Sequence, residues 1–171
     1  MTGQLTFELP NLVDIKYVSI KINFDDNSEL FFRDIRKFGR VYLLNNLEWL
    51  ENKLGIEPLS NQFTPQWLYK GLNRKKRMMK PLLLDQSFIV GLGNIYVDEI
   101  LWETGIHPTT TSNTISKENA TVMHNSIQTI LRKAITFKGT TIINFTYGEN
   151  NSGTFSKNLE VFGKDGNPCS R

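Results

Sequence analysis

The segment from Lys80 to Leu101 constrains this chain more than any other. It reads as a short apolar helix, a double turn built on Gly91 and Gly93, and a second helix opening at Asn94. Asn is a favoured helix N-cap. The two glycines supply the positive φ or close backbone approach that a tight turn needs. Such a turn directs backbone N–H groups outward at the positive end of a helix, where a phosphate binds. Basic residues cluster just before it: Lys70, Arg74, Lys75, Lys76, Arg77 and Lys80. Taken alone, Gly-x-Gly-Asn is an ordinary turn and cap, and a basic run is a solvated helix face. Taken together they describe a grip for a nucleic-acid backbone.

The flanking sequence sorts into a β part and a helical part, with the boundary near residues 44–58. Tyr17–Phe24 alternates inward and outward residues, Asp25–Ser28 is turn chemistry, and Glu29–Phe32 resumes a strand. A basic turn, Arg33–Phe38, leads to a further expected strand over Gly39–Leu44. A sheet this small is marginal by itself. From residue 46 the period becomes helical. Leu47, Leu50 and Leu54 mark a short helix stopped by Gly55 and Pro58. Thr64-Pro65 starts another, with Thr as N-cap and Pro in the first turn, and Leu68 and Leu72 on its inner face. The helix from Asn94 ends at Gly105. Ser116-x-x-Asn119 opens the longest helix, roughly 116–138, with Val122, Met123, Ile127, Ile130, Leu131, Ala134 and Ile135 as its apolar face. Residues 146–157 form a polar, Gly-rich loop, and Leu159–Phe162 reads as a strand entering the turn Gly163–Cys169. The expected class is therefore α+β.

Composition narrows the partner more than the chemistry. Net charge is only +3 over 171 residues, so the positive charge is local, which suits a local anionic partner. No run approaches the roughly 18 apolar residues that span a bilayer, and the first residues lack the pattern of a signal peptide. A cytoplasmic protein without membrane partners is the expectation. The single cysteine, Cys169, cannot form an internal disulfide. His107 and His124 have no nearby Cys or carboxylate cluster and are assigned no catalytic role. Asp98 and Glu99 are assigned to helix packing and surface charge.

Four stretches, in order, resemble the formamidopyrimidine-DNA glycosylase family, related to the endonuclease VIII-type glycosylases. They are Met1-Thr2-Gly3, Asp34-Ile35-Arg36-Lys37-Phe38-Gly39, the Lys80–Glu99 motif, and Leu159–Cys169 with its Gly-Asn-Pro-Cys ending. The resemblance implies a partial β-sandwich over 1–45, a helix–two-turn–helix DNA-binding domain over 46–157, and the start of a zinc-finger hairpin over 158–171. It implies removal of oxidised purines, with strand cleavage at the abasic site by an N-terminal proline amine aided by a glutamate. No residue here matches that pair. Glu8-Leu9-Pro10 lies after the Met-Thr-Gly segment, and its proline carries a peptide nitrogen. The chain is accordingly read as a fragment that binds DNA and is inactive alone.

The resemblance also distributes roles. Asn94, Lys80, Gly91 and Gly93 would hold phosphates flanking the lesion. Arg36, Phe38 and Met1 would fill the gap left by an extruded base, with Lys37 on a phosphate. Tyr147 to Phe155 would lie in the loop that covers the flipped base. Cys169 would be a zinc ligand only in the full-length parent; no metal is expected in this chain. The partner would be double-stranded DNA with a damaged base, bound by a monomer at the bacterial nucleoid. Two other readings remain: a non-catalytic module for damaged or bent DNA, and a helical protein–protein module.

Overall fold

The computed structural model describes residues 3–7, 15–140 and 153–171. The chain divides into two compact units: Met1–Leu44 with Phe137–Lys157, and Asn45–Thr136 with Asn158–Arg171. Residues 137–157, expected with the helices, thus group with the sheet, whereas 158–171 group with the helices.

The first unit holds an antiparallel sheet of β1 (Gly3–Thr6), β2 (Val18–Asn23) and β3 (Glu29–Asp34), with β3 in the centre. Leu5 stands opposite Phe32, and Ile22 opposite Leu30. The β2–β3 turn closes as its sequence requires. Asn27 adopts φ 64°, and the Asp26 carboxylate accepts from the Ser28 N–H at 2.9 Å. Phe31 is buried, but Leu5 and Phe7 are 65% and 67% exposed. The strand expected over 39–44 does not form. Those residues are irregular, and Leu43 is fully exposed. Alternating apolar letters make a strand only where a neighbouring strand takes the backbone bonds, and residues 39–44 join no strand ladder.

The second unit is helical: α1 (Glu48–Glu51), α2 (Pro65–Lys75), α3 (Met79–Leu83), α4 (Asn94–Thr104) and α5 (Lys117–Thr136). Thr64 caps α2 by accepting from the Trp67 N–H at 3.1 Å, with Pro65 in the first turn. Ser116 does the same for α5 through Asn119 at 3.1 Å. Gly105, at φ 66°, stops α4. The core gathers Leu68 and Leu72 of α2, Leu82 of α3, Ile100 of α4, and Met123 and Ile127 of α5. Each such side chain contributes about 1.5–3 kcal/mol through burial. The inner face of α5 is rotated from the expected one. Ala120 and His124 are buried, whereas Val122 and Ile135 are 51% and 65% exposed. His124 is structural: its ring stacks on Phe63 at 4.9 Å, and its Nε2 lies 2.9 Å from the Phe63 carbonyl oxygen.

Residues 159–162 are not a strand either. Their backbone is bound by a side chain. The Glu99 carboxylate, 4% exposed, accepts N–H groups from Glu160 (2.8 Å), Val161 (3.0 Å) and Phe162 (2.9 Å). Glu99 is therefore a buried anchor between α4 and the C-terminal segment and not a surface charge.

Candidate nucleic-acid interface

The double turn is assembled from both sides. Upstream, α3 is pinned at its start: Met79 N–H donates to Thr110 O at 2.9 Å, and Lys80 N–H to Pro108 O at 3.0 Å. Ser112, fully buried, donates its hydroxyl to Leu72 O and accepts from the Arg77 N–H. Between the helices, Gly91 sits at φ 86°, which glycine adopts without strain. Gly93 is different. Its φ is −105°, open to any residue, and a Cβ there would meet nothing within 4 Å. No steric clash within the fold demands glycine at 93.

Asn94 is the first residue of α4, not its cap. The cap position belongs to Gly93, which has no side chain to satisfy the leading amides. The first helical bond runs from Val97 N–H to Gly93 O at 3.0 Å, so the Asn94 and Ile95 amides precede the ladder. Gly93 and Asn94 are exposed. The positive pole of an 11-residue helix thus opens to solvent with an amide side chain beside it.

Lys80 completes this end. Its ammonium lies 2.7 Å from the Asp98 carboxylate, one helical turn beyond Asn94, and both side chains stay partly exposed. Asp98 thus orients Lys80, a role that sequence reading missed. The rest of the basic run divides. Arg77 pairs with Asp85 at 2.5 Å. The Asp85 carboxyl is lowered to about 2, chiefly by the Ser87 hydroxyl and then by Arg77. Lys70, Arg74 and Lys75 edge a groove floored by Trp67 and Phe88, whose rings stack at 5.3 Å.

In the first unit, Asp34 builds the loop that carries Arg36, Lys37 and Phe38. Its buried carboxylate accepts from the Arg36 N–H at 3.2 Å and the Gly39 N–H at 2.7 Å, and its carbonyl from the Lys37 N–H. Lys37 is held at φ 55°, unusual for a side-chain-bearing residue. A Cβ at Gly39 would stand 2.5 Å from the Phe32 ring and force that ring to move. The result is a Phe38 ring 76% exposed with the Arg36 guanidinium 5.5 Å from its centre. Asp34 had no periodic signature; its five-residue spacing to Gly39 was the available sign.

Met1 and Tyr147 lie outside the described residues. Phe155 is 3% exposed and packs on Phe137 at 6.2 Å, so its ring is buried and presents no face to a ligand. Cys169 is exposed, and among the described residues no three His, Cys, Asp or Glu side chains come together as a metal site. One thiol does not make a tetrahedral zinc centre; the residues present do not fit that group. Among the described residues no helix is long and apolar enough to cross a membrane.

Two short-turned helices with an uncapped, glycine-led second helix define a helix–two-turn–helix protein. The family model for the formamidopyrimidine-DNA glycosylase H2TH domain matches residues 54–146, more than half of the chain. The chain belongs to the formamidopyrimidine-DNA glycosylase family. It is 41% identical over its whole length to the formamidopyrimidine-DNA glycosylase of Protochlamydia amoebophila, covering 63% of that protein. It is 42% identical over 90% of its length to that of Lactobacillus helveticus, covering 57%. Among solved structures, the MutM (Fpg) protein of Thermus thermophilus superposes with a TM-score of 0.88 at 28% identity, over 99% of this chain and 64% of that one. Lactococcus lactis Fpg in complex with abasic-site DNA gives 0.84 at 34%, over 100% and 64%. The chain therefore spans less than two thirds of the length of these relatives.

Proposed function

We propose that this chain is the DNA-gripping part of a base-excision-repair glycosylase and abasic-site lyase whose whole form removes oxidised purines such as 8-oxoguanine. The observation that carries the reading is the open start of α4. Glycine occupies a position where the fold leaves room for a side chain, the leading amides have no cap, and Lys80 is held by Asp98 a turn away. A phosphate diester fits this arrangement through amide hydrogen bonds and charge together. The likeness to a relative solved with abasic-site DNA supports duplex DNA as the partner.

Arg36 and Phe38 suit the space left by an extruded base: the ring wedges between neighbours, and the guanidinium addresses the orphaned base. Lys37 is a phosphate contact on this reading. The nucleophile is assigned to no residue of this chain, and Cys169 serves as a zinc ligand only in a longer form with further cysteines. The protein works as a monomer on the bacterial chromosome.

The test is a mobility-shift titration of the chain against a duplex carrying an abasic-site analogue, over a range of salt. Binding should weaken steeply with salt, and Lys80→Glu with Asn94→Leu should weaken it at least tenfold while the chain stays folded. Unchanged affinity would refute the reading. Borohydride trapping on an 8-oxoguanine duplex should yield no covalent complex with these 171 residues; a trapped complex would overturn the assignment of the nucleophile outside them.

A further inference from the structure

We infer that Gln86 is the positioning residue that holds the double turn in its DNA-accepting form, an inference that rests on the DNA-binding reading above. One carboxamide ties together three backbone groups from both ends of the turn. Its Oε1 accepts from the Gly91 N–H at 2.8 Å, and its Nε2 donates to Leu84 O at 3.0 Å and to Leu92 O at 2.9 Å. Two carbonyls require a donor and one amide requires an acceptor, so the chemistry fixes which end is nitrogen.

The three partners matter by their positions. Leu84 closes α3, where helix carbonyls lose their ladder. Gly91 is the residue at positive φ, and Leu92 immediately precedes the glycine that heads α4. The Leu92 side chain is 1% exposed in the core, so the turn is fixed below by packing and above by Gln86. The adjacent Asp85 carboxylate is engaged differently, with Ser87 and Arg77. Gln86 itself is exposed and contributes no apolar burial. Its substitution therefore loosens the turn without emptying the core.

The side chain's demands are specific. Glutamate has the same size but no N–H, so it would face two carbonyls with oxygen. Methionine keeps the volume and offers neither strong donor nor acceptor. Both variants should free the 91–93 backbone and remove the preorganised phosphate contact, each weakening duplex binding by roughly tenfold.

The experiment compares the chain with its Gln86→Glu and Gln86→Met variants by three measurements. Hydrogen exchange without DNA should show the Gly91 amide losing protection in both, with α2 and α5 unaffected. Affinity for the abasic-analogue duplex should fall in both. The salt slope should fall by about one unit, the value of one lost phosphate; a partly unfolded sample would lose active fraction with an unchanged slope. Retained Gly91 protection, or a loosened turn with wild-type affinity and slope, would overturn the inference. Its failure is separable from that of the DNA-binding reading. If Lys80→Glu with Asn94→Leu weakens binding and the Gln86 variants do not, the inference alone falls. If none of these changes weakens binding, both fall.

Discussion

Replacing Glu99 with glutamine should destabilise the helical unit by about 3 kcal/mol. The carboxylate is 4% exposed and accepts three N–H groups at 2.8–3.0 Å. Its Oε2 serves Glu160 alone, whereas Oε1 serves Val161 and Phe162. In the amide, one of these oxygens becomes an NH2. If it takes the Oε2 position, the Glu160 N–H meets a donor and loses its bond, which costs about 1–3 kcal/mol. The two remaining bonds drop from charge-assisted to neutral strength, at about 0.5–1 kcal/mol each. The opposite rotamer loses two bonds and does worse. All three tryptophans of the chain, Trp49, Trp67 and Trp102, lie in the second unit, so fluorescence follows its urea unfolding selectively. With a urea m-value of about 1–1.5 kcal/mol/M for a unit of this size, the midpoint should fall by about 2–3 M. A midpoint shifted by less than about 0.3 M at unchanged m would refute the claim that Glu99 anchors residues 160–162.

Further expectations follow from single side chains. Gly93→Ala should cost no more than about 1 kcal/mol in a thermal melt, the difference between glycine and alanine at an N-cap, because its Cβ meets nothing, yet weaken duplex binding several-fold. Gly91→Ala, at φ 86°, should instead lower stability by about 1 kcal/mol or more in a thermal melt. Asp85, lowered to about 2 in the folded chain, contributes stability that is complete above about pH 4 and lost as pH falls toward 2. Asp85→Asn should accordingly be less stable by about 1–2 kcal/mol at pH 7, the two denaturation curves converging near pH 2. Asp34→Ala should release the Arg36–Gly39 backbone, seen as several-fold faster tryptic cleavage after Arg36 or Lys37. Unaltered cleavage would show that the loop does not depend on Asp34.

The legible parts of the sequence were those with local causes. Thr64-Pro65, Ser116-x-x-Asn119 and Gly105 set helix ends through contacts within a few residues, and each end falls where those letters stand. The Gly-x-Gly-Asn turn was legible for the same reason, although the register was off by one: Gly93 takes the cap and frees Asn94. What could not be read was set at a distance. Glu99 binds backbone some sixty residues away, which converts an apparent strand at 159–162 into a clasped loop. The Gly39 to Leu44 run resembles a strand but joins no strand ladder. On α5 the packing against Phe63 turned His124 inward and Val122 outward, a rotation that apolar periodicity alone does not fix. Gln86 and Asp98 in the helical unit, and Asp34 in the sheet unit, act by bonds to backbone or to one cation, and such bonds leave no repeating pattern in a sequence.

The most direct measurement is a titration of the 15N-labelled chain with an abasic-analogue duplex, followed by amide chemical shifts. If DNA is gripped at the open start of α4, the largest, salt-sensitive changes fall at Gly93, Asn94 and Ile95. Changes confined to other surfaces, with these three amides unmoved at saturation, would contradict that grip.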